Sequence, residues 1–194
     1  MTSKLLYRLI SKYTNIIMNK IYHFFQLFLL VLFCQCYSAP KVAGQFTAHE
    51  FEKMALQMAE GTVPDISPQD LVAQKDSIIL LDAREREEYE ISHIPTAIWV
   101  GYDDFTLDRV AALSKNATIV TYCSVGYRSE RIGEQLQQAG FENVSNLKGS
   151  IFQWMNEGYP VVNMKALETD EVHGFNKNWG KWVKKGKVVY DITE

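Results

Sequence analysis

Thr118-Ile119-Val120-Thr121-Tyr122-Cys123-Ser124-Val125-Gly126-Tyr127-Arg128-Ser129 carries the decision about this chain. A β-branched run ends in a cysteine, a short loop with one glycine follows, and helical spacing opens at the arginine and runs over residues 130–139. The stretch reads as a strand, a tight loop and a helix start, with a thiol at the turn. A helix start offers unpaired N–H groups and a positive dipole end. Consecutive N–H groups curled round a point form an anion-binding nest. A thiol placed there titrates low. Gly126 allows a backbone closed to other residues. Arg128 adds a permanent positive charge at the rim. The competing reading is a buried, inert cysteine at the end of a core strand.

Four segments, in order, decide between the two. Cys123-x-x-Gly126-x-Arg128-Ser129 resembles the active-site loop of the rhodanese (sulfurtransferase) domain. Leu80-Leu81-Asp82-Ala83-Arg84-Glu85 with Glu88-Tyr89 resembles the strand end that precedes it in that family. His93-Ile94-Pro95-Thr96-Ala97-Ile98 resembles a third segment. Gly140-Phe141, Val144, Leu147-Lys148-Gly149-Ser150-Ile151 and Trp154 resemble a fourth. The similarity covers about residues 67–162. Ser92, Thr96 and Ser150 stand where the family often has glycine, which bears on local backbone geometry. The resemblance implies a three-layer α/β domain with a mainly parallel central sheet flanked by helices. The alternation of strands with helices agrees.

Residues 1–39 read as a signal peptide. Lys4, Arg8, Lys12 and Lys20 precede an apolar run whose densest part is 27–33, too short to span a bilayer comfortably, and small residues follow. Cleavage after Ser38 is expected. Met18 would make a more ordinary start than Met1. Lipidation at Cys34 or Cys36 is the alternative, disfavoured by the bulk of Phe33 and Gln35 before them. The expected location is therefore periplasmic or secreted, with any membrane tether confined to the leader or a lipid.

The chain holds 20 basic and 23 acidic residues. Four of the basic ones and none of the acidic ones lie in the first 39 positions. The remainder carries 16 against 23, a net of −7, which argues against nucleic acid or an anionic membrane surface as partner. It also keeps Cys123 as its one cysteine, so it has no internal disulfide, and an odd thiol marks reactivity.

Residues 40–66 read as a linker and a helix opened by the capping box Thr47-x-x-Glu50. Ser67 and Pro68 begin a second short helix. Residues 77–81 make a buried strand. Asp82 and Arg84 follow it, on the same sheet edge as Cys123, where open parallel sheets bind ligands. Either could neighbour the loop; otherwise Asp82 caps it and Arg84 pairs with a surface acid. The resemblance makes Asp82 mainly structural and gives His93 the task of holding a turn. Residues 98–100 form a strand, 105–113 a helix, 144–147 a strand and 151–157 a helix. The extension 163–194 places Phe175, Trp179, Trp182 and Tyr190 among five lysines. It is expected to be a terminal helix or hairpin packing its aromatics on the domain, with a partner surface as the alternative.

The chemistry the resemblance implies is sulfur transfer. Cys123 would be the nucleophile and persulfide carrier. The N–H groups of Ser124, Val125, Gly126, Tyr127 and Arg128 would surround the terminal sulfur. No cofactor or metal is required. The partners would be a small-molecule or protein sulfur donor and a thiol acceptor, and the protein would be a monomer. Three rival classes stand beside it. Cysteine-type phosphatases and arsenate reductases place five residues between Cys and Arg, whereas four intervene here. Non-catalytic rhodanese-like binding modules commonly lose the cysteine. Thiol redox proteins need a partner cysteine. Arg128 is the one basic residue of the loop, with Arg84 the other candidate nearby, and Glu85, Glu87 and Glu88 crowd the Asp82 edge. Weak activity with thiosulfate follows, improved by lysine at Ser124 or Val125.

Overall fold

The run that opens on Thr118 becomes the middle strand of a five-stranded, wholly parallel sheet. The computed structural model describes residues 17, 18, 20–22 and 47–190. The chain divides into two units, Met1–Gln45 and Phe46–Glu194. In the first, residues 17, 18 and 20–22 are helical. The expected leader run, the cut after Ser38, Cys34 and Cys36 lie outside the described residues. Among the described residues, no helix is long and apolar enough to cross a membrane.

The second unit carries the sheet. Its elements are α1 (Ala48–Met58), β1 (Asp65–Ile66), α2 (Pro68–Gln74), β2 (Ile78–Asp82), α3 (Arg86–Ile91) and β3 (Ile98–Trp99). A 3₁₀ turn (Leu107–Val110) leads to β4 (Thr118–Tyr122), α4 (Tyr127–Gln138), β5 (Asn143–Leu147) and α5 (Ser150–Glu157). The strand order is β1-β5-β4-β2-β3. Register is set by Leu81 opposite Thr121 and Asp82 opposite Tyr122. The chain runs outward from β2 to β3, then from β4 to β5 on the other side. The order therefore reverses between β2 and β4, and a crevice opens beyond their carboxyl ends, the usual ligand position in such sheets. Asp82 and Cys123 end up on either side of it.

The side chains explain the layers. Leu80 and Val120 point to one face and pack with Phe51, Leu71, Ile151, Phe152 and Trp154 from α1, α2 and α5. Leu81 and Ile119, one residue out of phase, point to the other and pack with Ile132 and Leu136 of α4. Strands buried on both faces need continuous apolar runs, which is why β2 and β4 show no alternation. Each such side chain contributes about 1.5–3 kcal/mol by leaving water.

Two expectations are corrected. Residues 105–113 form no full helix but only the 3₁₀ turn, with Val110 buried and Leu107 exposed. Arg109 ties this loop instead, donating to the Val100 carbonyl and Asp104 and lying over the Trp99 ring. The extension is not a terminal helix: its first part closes a short hairpin with the end of the domain, and the rest forms a parallel strand pair. β6 (Val161–Val162) pairs antiparallel with β7 (Glu168–Thr169). β8 (Glu171–His173) pairs in parallel with β9 (Lys187–Val189) across a helical turn, α6 (Lys177–Gly180). Trp179 and Trp182 pack against the core of the domain, Trp182 edge-on to Phe51. Phe175 does not: the residue is 48% exposed.

Candidate active site

β4 delivers Cys123 to the crevice, and the loop turns at Gly126, whose φ of 123° is open to glycine at low cost. Two helix starts hold this loop. Gly126 is the cap of α4, and its N–H donates to the Cys123 sulfur at 3.2 Å. On the other side, the N–H groups of Ile151 and Phe152 at the start of α5 donate to the carbonyls of Cys123 (3.1 Å) and Ser124 (3.2 Å). Orphan donors of α5 are thus satisfied by the loop itself. The Cys123 N–H donates to Ser150 Oγ at 3.0 Å. Ser150 and Thr96, two of the serine and threonine residues at glycine-like positions, both adopt positive φ (52° and 69°). A non-glycine residue there costs about 1–2 kcal/mol. At Ser150 the hydroxyl bond to Cys123 offsets part of that cost. Ser92 is extended instead.

Cys123 is 1% exposed. Burial pushes its thiol up, but the Arg128 charge, the Ser129 hydroxyl and the N–H groups of Ser129 and Gly126 pull harder, and the net shift is down. The lowered direction agrees with a helix-start thiol. The sulfur's donors are fewer than a full ring of loop N–H groups from 124 to 128. Ser124 and Val125 are themselves buried, so neither offers a site for a charge at the surface.

Arg128 departs from the sequence reading. It is not a free cation at the rim. Its Nη1 and Nη2 donate to Glu88 Oε2 and Oε1 at 2.6 and 2.9 Å, and Nη2 also donates to Ser124 Oγ at 3.0 Å. Ser124 Oγ lies 3.0 Å from Glu88 Oε1. Glu88 is buried at the start of α3, its second oxygen accepting the Glu85 N–H. Burial alone would raise its pKa, but the Arg128 and Arg84 charges hold it below the usual carboxylate range.

Arg84 is neither at the mouth nor on a surface acid. It is fully buried and forks onto Asp82, Nη2 to Oδ2 at 2.6 Å, with Nη2 also donating to the Ser92 carbonyl at 2.7 Å. Asp82 in turn accepts the Arg84 backbone N–H at 3.0 Å. This pair braces the strand end. His93 stacks on Tyr89 at 4.0 Å and bonds its carbonyl, while its backbone bridges Val162. Burial lowers its pKa. Asp82, Arg84 and His93 thus hold backbone around the site rather than the sulfur. The sequence reading missed Glu88 as a partner of Arg128, and Ser129 and Asn146. Ser129 Oγ donates toward Asn146 Oδ1 (2.7 Å), and Asn146 Nδ2 donates to the Gly126 carbonyl (3.1 Å).

The sequence is similar to those of known proteins over this domain. The family model for the rhodanese-like domain matches residues 67–157. A protein named sulfurtransferase from Allochromatium vinosum is 31% identical over 91 residues, 47% of this chain and 84% of that protein. The chain belongs to the rhodanese-like family. A tRNA uridine(34) hydroxylase from Aster yellows witches'-broom phytoplasma is 31% identical over 110 residues, 53% of this chain but only 35% of the relative. The crystal structure of a rhodanese-related protein from Thermoplasma volcanium shares 30% identity, covering 51% of this chain and 97% of that one, with a TM-score of 0.47. The rhodanese-like domain is thus one that sulfurtransferases share with larger proteins of other names.

Proposed function

We propose that this rhodanese-like domain is a sulfurtransferase that carries sulfur as a persulfide on Cys123. The observation that carries the reading is the Cys123 thiol itself, lowered in pKa at a helix start with the Gly126 N–H turned toward its sulfur. The thiolate attacks the outer, sulfane sulfur of the donor. A bond forms between Sγ and that sulfur, the donor's S–S bond breaks, and the electron pair leaves on sulfite or on the donor thiolate. The acceptor thiolate then attacks the terminal sulfur, and Cys123 departs as thiolate. No net oxidant or reductant is needed, and donor and acceptor visit in turn, so ping-pong kinetics follow.

The pairing of Arg128 with Glu88 weighs against a phosphatase. That guanidinium is already engaged by a carboxylate, whereas a tetrahedral oxyanion would need it free. It also supports selectivity for weakly charged donors over the thiosulfate dianion. With Glu88 neutralising the loop cation and an acidic remainder of the chain, a dianion gains little steering. The protein acts after export, on small-molecule or protein persulfides and thiols, without nucleic acid.

The test is mass spectrometry of the protein after exposure to thiosulfate or glutathione persulfide. The expected result is a gain of one sulfur atom on Cys123, absent from the Cys123→Ser variant. A protein that stays unmodified by either donor, with its thiol free, overturns the assignment.

A further inference from the structure

Phe175 lies outside the matched domain and outside both apolar cores, yet the chain fixes it firmly. Val172 anchors β8 by full burial, and β8 lies along α3, the helix that presents Glu88. Gly174 has no room for a side chain: a Cβ there would stand 2.5 Å from Val188. The His173 ring holds the next turn. Its Nε2 lies 2.9 Å from the Tyr190 carbonyl, so it carries the proton, and Nδ1 accepts the Phe175 N–H at 3.1 Å. Asn176 then caps α6. Between these anchors Phe175 adopts a φ of 61°, a conformation that bulky residues avoid. Strain at an exposed aromatic that fills no core points to a task elsewhere.

The ring stands over Arg128, with the guanidinium carbon 5.1 Å from its centroid. The edge of that guanidinium is taken by Glu88 and Ser124. The Phe175 ring lies against the same guanidinium, and the Arg128 side chain is left 13% exposed. The one cation of the loop is therefore shielded by a carboxylate and by an aromatic ring together. Tyr127, the first residue of α4, adds a second exposed aromatic next to Arg128 in the chain.

We propose that Phe175 is a specificity-determining residue: it walls the mouth of the Cys123 loop, denies Arg128 to small anions, and favours uncharged or bulky thiols and persulfides. This rests on the sulfur-transfer reading for its substrates but not for the gate itself.

The experiment separates the two. Cys123 is alkylated with iodoacetate, which is anionic, and iodoacetamide, which is neutral and of similar size. The comparison uses the full chain, the Phe175→Gly variant and the Phe175→Tyr variant. Glycine removes the ring and relieves the positive φ, so the fold is not strained by the change. The expected result is a rise of at least about threefold in the iodoacetate to iodoacetamide rate ratio for Phe175→Gly. Phe175→Tyr should keep the native ratio. The ratio of kcat/KM for thiosulfate to that for glutathione persulfide should rise by a similar factor in Phe175→Gly. An unchanged alkylation ratio in Phe175→Gly, with or without a lowered melting temperature, makes Phe175 a packing residue and overturns the inference. A shifted alkylation ratio in a protein that transfers no sulfur overturns the sulfur-transfer reading and leaves the gate standing.

Discussion

At Cys123, burial and charge act in opposite directions on one proton. Burial disfavours thiolate, while Arg128, Ser129 and the Gly126 N–H favour it and prevail. Thiol labelling against pH should therefore show a midpoint below the ordinary ~8.5 of a free cysteine. A midpoint at or above that value would remove the basis for a standing nucleophile. Cys123→Ser should leave the fold intact and cut sulfur transfer by at least about a thousandfold, because a hydroxyl does not ionise near neutrality. The residues that announce themselves in sequence here are those with a local signal: a cysteine after a β-branched run, a glycine where the loop must close, an arginine at the helix start. Glu88 gave no such signal. It lies 40 positions from Arg128, and only the register of β2 against β4 brings α3 beneath the loop. Arg84 misled for a related reason, since a charge two residues from a carboxylate can fold back onto it and be buried whole.

The α3 helix is the element that tunes the loop, through Glu88. Glu88→Gln keeps the shape but removes the countercharge of a largely buried arginine. Breaking a fully buried pair costs about 3–5 kcal/mol; with Arg128 still partly exposed, a loss of about 2 kcal/mol is expected in urea unfolding. The same change should lower the Cys123 pKa further, because Arg128 no longer spends its charge on a carboxylate. Stability without any change in labelling would mean that Glu88 does not set the loop's charge. Its own titration gives a second reading. A carboxyl held below its usual range in the folded state contributes stability that is fully present above about pH 4.3 and is lost as pH falls through the lower folded value. Acid unfolding of Glu88→Gln should accordingly be shallower below about pH 4 than that of the unaltered chain. Periodicity was a good guide to α4 and α5, where apolar residues recur on one face. It failed over residues 105–113, where an arginine reaching a backbone carbonyl outweighed weak helical spacing.

For the molecule as a whole, net charge bears on the choice of substrate. The acidic remainder of the chain and the paired loop cation predict a higher kcat/KM for glutathione persulfide than for thiosulfate, with little dependence on salt. A preference for thiosulfate that weakens with salt would show an effectively positive mouth. Fractionated cells should yield a processed chain beginning near Ala39 beyond the inner membrane; a full-length cytosolic protein would refute export. The middle of the parallel sheet was legible because β2 and β4 are largely apolar and buried on both faces, whereas the two-residue β1, Asp65–Ile66, carried no such run. The β8 and β9 pair was not legible, since it is short and closes across a turn with no hairpin signal. The bonds from Ile151 and Phe152 to the loop carbonyls carry one last consequence, for motion. The Cys123 loop also caps α5, so it cannot hinge without fraying that helix. Sulfur loading should then proceed on a still backbone. Amide hydrogen exchange at Ile151 and Phe152 should be equally slow before and after persulfide formation, and faster exchange in the loaded form would reveal a loop that opens with each turnover.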